Sequence, residues 1–252
     1  DADGHVVRPL STTQVQDLSQ RLREDGIEAL AVCFLHSYAN PEHEKAAGAI
    51  LRQALPDCFV SLSIEVLPEI REYERTSTTV INAYLGPPVK RYMQSLIARL
   101  AGAGIDGRLL VMQSSGGILE AEIVMERPAE IVECGSAAGV IGAAKMTRPG
   151  LENILTFDMG GTTAKASIIE EGRLVKTDEY EIGGGISLSS RLVKGGGYAL
   201  KLPVIDISEV GAGGGSIVWF DKAGALKVGP HSAGADPGPV CYAQGGTDPT
   251  VT

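Results

Sequence analysis

The sequence predicts an α/β fold in two parts, and three observations carry that reading. Apolar runs at 27–35 and 59–66 flank a helical pattern at 41–55, a βαβ order that favours a layered α/β domain. Thr147-Arg148-Pro149-Gly150 is the strongest linker signal in the chain. Immediately after it come alternating apolar stretches joined by tight turns, as expected for antiparallel strands that begin a new domain.

The first part opens with His5-Val6-Val7-Arg8, a short strand pattern. Ser11 or Thr12 caps a helix carrying Val15, Leu18 and Leu22, and Gly26 stops it. Ile27 to Leu35 reads as a buried strand. Pro41 starts the next helix, whose core face is Ala47, Ile50, Leu51, Ala54 and Leu55. Phe59 to Val66 is a second strand. The charge run Glu69 to Arg75 reads as the solvated start of a long helix, which Pro87-Pro88 should interrupt. Arg71 and Arg75, four apart, either hold a phosphate or pair with Glu72 and Glu74. Arg108 to Met112 is a strand running into Gln113-Ser114-Ser115-Gly116-Gly117, either a ligand loop or an ordinary strand-to-helix turn. The helix at 135–146 is built of very small residues, which suggests close contact with another backbone.

The second part contains Ile154-Leu155-Thr156-Phe157-Asp158-Met159-Gly160-Gly161-Thr162-Thr163-Ala164-Lys165. It reads as strand, tight turn and second strand, with several backbone N–H groups beside a carboxylate. Phosphate needs donors that no Cβ obstructs, and a magnesium ion riding on phosphate needs oxygen ligands such as aspartate. The alternative is a glycine hairpin that holds no ligand. Lys165 stands two residues past the turn, where alternation could aim it away. Glu170-Glu171-Gly172 turns the chain into a third strand, Arg173 to Ile182. Glycine clusters follow at 183–185, 195–197 and 211–215, and the last precedes the strand Ile217 to Phe220. A hairpin turn at Lys222-Ala223-Gly224 and a turn-rich loop at 231–239 complete the pattern.

Composition bounds the function. The net charge of −9 argues against a general nucleic-acid or anionic-membrane surface. Cys33, Cys58, Cys134 and Cys241 form no CxxC pair, which fits a reduced, cytoplasmic setting. No run is long and apolar enough to predict a membrane span. His36 and His43 lack a ligand constellation and read as ordinary surface or hydrogen-bonded histidines. No GxSxG elbow supports a serine hydrolase.

FDMGGTTAK at 157–165, QSSGG at 113–117, EVGAGGGSI at 209–217 and GPHSAGADPGPVCY at 229–242 resemble the hydantoinase A/5-oxoprolinase family. The segment 68–85 and the NPEHE run at 40–44 resemble it too, in the family order. Cys134-Gly135-Ser136 departs from the Ser-Gly-Pro frequent there. The resemblance implies an α/β, actin-like ATPase fold of two RNase H-like halves, both incomplete here. Residues 1–148 would be the latter part of the first half, and 149–252 the start of the second. It implies ATP with Mg²⁺ or another divalent metal, used to activate the carbonyl of a lactam or hydantoin. Asp158 would be catalytic and hold the metal, Gly160, Gly161, Thr162 and Thr163 would cradle phosphate, and Gly213, Gly214 and Gly215 would approach nucleotide or substrate. A hydantoinase B-like subunit or fused domain is the implied partner, in an oligomer. Family members also carry an upstream Asp-Gly-Gly-Thr loop that nothing before Asp158 matches. The chain is therefore expected to be an internal fragment with little turnover alone. The family includes ATP-dependent ketone carboxylases, and a nucleotide-gated scaffold without a small substrate remains a different class of reading.

Overall fold

The structure is a computed structural model that describes residues 1–146, 148–182 and 197–252. The chain divides into two compact units, residues 1–134 with 199–202, and residues 135–198 with 203–252.

In the first unit the Ser11 hydroxyl accepts the Gln14 N–H at 3.3 Å and caps α1 (Thr12–Glu24). Gly26, at φ +64°, follows its end. β1 (Ala29–Val32) and β2 (Phe59–Leu62) pair in parallel, and α2 (Glu42–Ala54) is the crossover between them. The expected βαβ order is thus present. Val15, Val32, Ala47, Leu51, Leu55, Val60 and Leu62 form its core.

Both strands are shorter than their apolar runs. After Val32 the chain leaves the ladder, and residues 63–66 form a short helix, α3 (Ser63–Val66). One buried side chain accounts for both departures. Glu44, on α2 and fully buried, accepts the Phe34 N–H at 2.8 Å, the Ile64 N–H at 3.0 Å and the Ser63 hydroxyl at 2.9 Å. A buried carboxylate needs donors of this kind, and it draws them from the two strand ends. His5 to Arg8 forms no strand.

α4 (Glu72–Gly102) runs unbroken through Pro87 and Pro88, where the sequence predicts an interruption. Two prolines remove two helix donors, so packing must hold the segment. Gly86 lies directly against the Phe59 ring; a Cβ there would come within 2.3 Å of it. Asn82, also buried, donates to Ser61 Oγ at 3.0 Å and accepts the Ala129 N–H at 3.1 Å. The charge run is solvated over residues 69–73, as the sequence predicts, with Arg75 as the exception. Arg75 is fully buried, donating to the carbonyls of Glu69 at 2.7 Å and Phe34 at 2.8 Å, with its guanidinium 5.5 Å from the Tyr38 ring centroid. Arg71 stays exposed, 3.5 Å from Glu74.

β3 (Leu110–Met112) and β4 (Ile118–Glu120) form a hairpin, followed by α5 (Ala121–Glu126) and a 3₁₀ turn at Pro128–Ile131. The QSSGG stretch is the hairpin turn. Gln113 N–H donates to the Gly117 carbonyl at 2.8 Å, and Ser114 donates through both N–H and Oγ to the Glu130 carbonyl. These donors serve the fold.

α6 (Cys134–Lys145) packs Ala137 and Val140 on Ile169, Ile205 and Ile207, the core of the second unit. The close backbone contact expected of its glycines is not found: among the described residues, a Cβ on Gly135, Gly139 or Gly142 would meet nothing within 4 Å. Arg148-Pro149-Gly150 then leads into β5 (Ile154–Met159), and Thr147 lies outside the described residues. β6 (Ala164–Glu170) returns antiparallel to β5. Glu171 and Gly172, both at positive φ, make the expected turn into β7 (Arg173–Leu174). The third strand is broken into β7, β8 (Lys176–Thr177) and β9 (Tyr180–Ile182). The glycine clusters at 183–185 and 195–196 lie outside the described residues. After β10 (Tyr198–Leu200), β11 (Val204–Ile205) pairs with β8, and β12 (Ser208–Val210) adds to the edge of β6 opposite β5. β13 (Ser216–Phe220) and β14 (Leu226–Ser232) form the last hairpin, as predicted.

All four cysteines are free. Among the described residues no helix is long and apolar enough to cross a membrane. Glu44→Gln replaces an acceptor oxygen with a donor facing N–H groups. It should lower stability by about 2 kcal/mol. Hydrogen exchange should show faster opening at the amides of Phe34 and Ile64, with unchanged protection in β6.

Candidate functional site

Met159 and Ala164 are the last cross-strand pair of β5 and β6, so residues 160–163 are the hairpin loop. Gly160 N–H donates to the Thr163 carbonyl at 3.0 Å and closes it. The N–H groups of Gly161, Thr162 and Thr163 donate to no other group among the described residues. Gly161 and Thr162 are exposed, and Thr163 is half-buried. Three successive uncommitted donors on a turn are what a phosphate oxygen requires.

A second glycine loop braces the first. Gly214 N–H donates to the Gly160 carbonyl at 2.8 Å, and Gly215 N–H to the Gly161 carbonyl at 2.7 Å. Gly213 N–H donates to Ser216 Oγ at 2.9 Å. A Cβ on Gly213 would stand 2.6 Å from the Gly160 carbonyl oxygen and 2.7 Å from the Gly161 carbonyl carbon, so only glycine allows the two backbones to meet. Thr252 N–H in turn donates to the Gly214 carbonyl at 2.9 Å, which lays a third segment on the pair. The structure therefore brings 160–163 and 213–215 together. The N–H groups of Gly213, Gly214 and Gly215 are engaged within the protein.

The strand register sets the charges. Asp158 lies opposite Lys165, and Lys165 lies opposite Glu209 on β12. Directly opposed residues share a sheet face, so the three form one row across β5, β6 and β12. Thr156, Ser167, Ile154 and Ile169 continue that face toward α6. Lys165 Nζ stands 3.8 Å from Glu209, with 20% and 23% of the two side chains exposed. Asp158 is exposed and its carboxylate has no hydrogen bond or ion pair among the described residues. A cavity of about 270 Å³ opens beside this row, lined by Asp158, Lys165, Thr156, Ser167, and Ser136 and Gly139 of α6. Lys165 thus points to the same side as Asp158. Glu209 is the residue the sequence reading passed over. Its signal was an acidic residue two positions before the first glycine of EVGAGGGSI.

Three of the four histidines belong to the first unit, and His231 lies on β14 next to Ser232. His5, His36 and His43 line a separate cavity of about 230 Å³ in the first unit. The His5 Nδ1 stands 3.6 Å from the Asp1 carboxylate there. Among the described residues the one group of three ligand-type side chains is Asp1, Asp3 and His5, all exposed.

Against this geometry the comparisons are specific. The hydantoinase/oxoprolinase family model matches residues 75–252, and the hydantoinase/oxoprolinase N-terminal region model matches residues 1–55. An uncharacterized protein of Methanocaldococcus jannaschii is 48% identical over all of the chain, which covers 37% of that protein. The caprolactamase subunit alpha of Pseudomonas jessenii is 39% identical over all of the chain, covering 34% of it. The 5-oxoprolinase of Saccharomyces cerevisiae is 37% identical over 96% of the chain, covering 18% of it. Two solved structures share the fold over 99% of the chain and 34% of their own length. An acetone carboxylase, described as nucleotide-free and acting by ATP-dependent acetone carboxylation, has a TM-score of 0.78 at 27% identity. An ATP-dependent caprolactamase from Pseudomonas jessenii has a TM-score of 0.74 at 38% identity. The chain spans about a third of the length of the first two of these relatives. Its fold is the α/β, actin-like ATPase type of these enzymes, and the chain belongs to the hydantoinase/oxoprolinase family.

Proposed function

We propose that this protein hydrolyses a cyclic amide, of the hydantoin or 5-oxoproline type, by using ATP to phosphorylate the carbonyl oxygen. The observation that carries the reading is the Asp158 carboxylate, without a partner among the described residues, on the strand that leads into three uncommitted N–H groups at 161–163. Amide carbonyls are poor electrophiles. Moving a phosphoryl group from ATP onto the carbonyl oxygen releases ADP and makes the carbon open to water. Attack then breaks the ring C–N bond, and hydrolysis of the remaining acyl phosphate releases phosphate and a carboxylate. Phosphoryl transfer of this kind depends on positioning and charge neutralisation, which backbone donors and fixed side chains supply.

Each residue has a part in this reading. Gly160, Gly161, Thr162 and Thr163 cradle the phosphate. Gly213, Gly214 and Gly215 contribute by holding that loop open. Asp158 is the catalytic carboxylate, and its exposed oxygens suit a divalent cation such as Mg²⁺, which when bound would neutralise phosphate charge. The name of the caprolactamase relative, a subunit alpha, supports assembly with a second, hydantoinase B-like chain. The compartment proposed is the cytoplasm.

A second reading is an ATP-dependent ketone carboxylase, in which the phosphorylated oxygen belongs to an enolate. The acetone carboxylase likeness, at a TM-score of 0.78, favours it enough to be tested alongside. ATP hydrolysis by the full-length protein with its partner subunit should be stimulated by a lactam or hydantoin. Stimulation only by a ketone with bicarbonate would select the carboxylase.

Asp158→Ala should reduce substrate-dependent ATP hydrolysis about 100-fold or more while leaving the circular dichroism spectrum unchanged, because the carboxylate supports nothing else in the fold. Turnover near the wild-type rate would remove Asp158 from the mechanism. Gly213→Ala should strip hydrogen-exchange protection from the amides of Gly214 and Gly215. Gly161→Ala, whose Cβ would meet nothing within 4 Å, should leave that protection in place.

A further inference from the structure

The cavity of about 270 Å³ beside Asp158 has a composition that the phosphate reading does not use. Ser136, Gly139, Val140 and Ala143 recur at helical spacing along one strip of α6, and all four line it. Val140 and Ala143 give it an apolar lining together with Ile154 and Ile207. Asp158, Lys165 and three hydroxyl groups supply the polar part. Two of those hydroxyls are committed: Thr156 Oγ1 donates to the Ser167 carbonyl at 3.1 Å, and Ser167 Oγ to the Asp206 carbonyl at 2.6 Å. The third, on Ser136, makes no hydrogen bond among the described residues. Gly139 adds space, since a Cβ there would meet nothing within 4 Å.

A mostly apolar hollow with a few convergent polar groups is the ordinary form of a small-molecule site. The volume is that of roughly nine water molecules at about 30 Å³ each. A nucleoside triphosphate would overfill it, and a single small ring with one polar edge would not. Asp158 borders both parts of the site: it lines the cavity, and its strand leads into the donor loop at 161–163. A phosphoryl acceptor has to lie next to the phosphate it receives, and a pocket that Asp158 borders is placed for one.

We propose that this cavity is the pocket for the cyclic amide. The ring packs on Val140, Ala143, Ile154 and Ile207, the amide edge meets the Ser136 hydroxyl, and Gly139 sets how large a ring enters. The inference rests on the nucleotide reading above and gives that site its second reactant.

The experiment measures ATP hydrolysis by the full-length protein with its partner subunit. Hydantoin, 5-oxoproline and ε-caprolactam are added in turn, and the strongest stimulator is carried forward. Gly139→Leu should raise its half-saturating concentration about 10-fold or more, because the new side chain takes up ring space. The half-saturating ATP concentration should stay within about twofold of wild type, a split that general damage to the site would not give. Gly139→Ala should give a smaller rise of the same kind, about 3-fold, and keeps the test open if the leucine variant fails to fold. Ser136→Ala should raise the cyclic amide value about 5-fold through loss of one hydrogen bond. Gly142→Leu is the control: Gly142 lies on the same helix in open space, and it does not line the cavity.

A half-saturating cyclic amide concentration in the Gly139 variants within about twofold of wild type overturns the proposal and leaves the nucleotide reading standing. An equal rise for ATP assigns the cavity to nucleotide instead. An equal effect from Gly142→Leu assigns the change to helix packing. Unchanged behaviour of Ser136→Ala overturns the orientation of the amide edge. Absence of stimulation of the wild type by all three compounds removes the cyclic amide reading itself, and the proposal with it.

Discussion

Two backbone hydrogen bonds fix the site: Gly214 N–H to the Gly160 carbonyl and Gly215 N–H to the Gly161 carbonyl. In a planar trans peptide the carbonyl of one residue and the N–H of the next point in opposite directions. Turning the carbonyls of Gly160 and Gly161 toward the second loop therefore turns the N–H groups of Gly161 and Thr162 away from it. The bracing and the exposure of donors are one constraint. A free four-residue hairpin loop would sample many orientations of those peptides, and ordering each residue costs about 1–2 kcal/mol of backbone entropy. Docking on 213–215 meets that cost during folding, before any ligand arrives, which is the meaning of preorganisation here.

The glycines at 160–161 and 213–215 announce close backbone approach in the sequence, because nothing else explains so many missing side chains between apolar strands. What they approach is not written locally. Gly213 meets the backbone of 160–162, a partner some fifty residues away, and only the fold discloses it. The same holds for the charges. Whether Lys165 shares a face with Asp158 depends on the parity of the pairing across the turn. With Met159 opposite Ala164, Asp158 and Lys165 fall opposite each other. A slip of one residue would send Lys165 to the other face. Glu209 joins the row only through the pairing of β12 with β6, a long-range choice that no short window contains.

The βαβ order and the strand-turn-strand motif were legible because each is periodic and bounded by turn residues. The misreadings share another cause. Phe34 donates its N–H to Glu44 and receives Arg75 on its carbonyl, so a buried anion and a buried cation hold opposite sides of one residue. That arrangement ends β1 early and buries Arg75, which its charge run alone marks as solvated. Charge runs and apolar runs describe the average cost of burial. They do not contain the specific partners that reverse it. Pro87 and Pro88 follow the same logic: the contact of Gly86 with Phe59 belongs to tertiary packing, which overrides local propensity.

On the proposed function, the charge balance of the row also selects the form in which nucleotide binds. Asp158, Lys165 and Glu209 sum to one negative charge if all are ionised, and Lys165 is drawn toward Glu209. Neutral N–H donors at 161–163 orient phosphate oxygens but cannot offset a triphosphate beside a bare carboxylate. On that reading a site with this balance would disfavour free nucleotide and favour one carrying a divalent cation, which the Asp158 carboxylate would help to hold. On the same reading the N–H groups at 161–163 would serve the anion and the Asp158 carboxylate the cation. Lys165, on the same sheet face as Asp158, would then be placed to offset the charge that develops as the phosphoryl group moves.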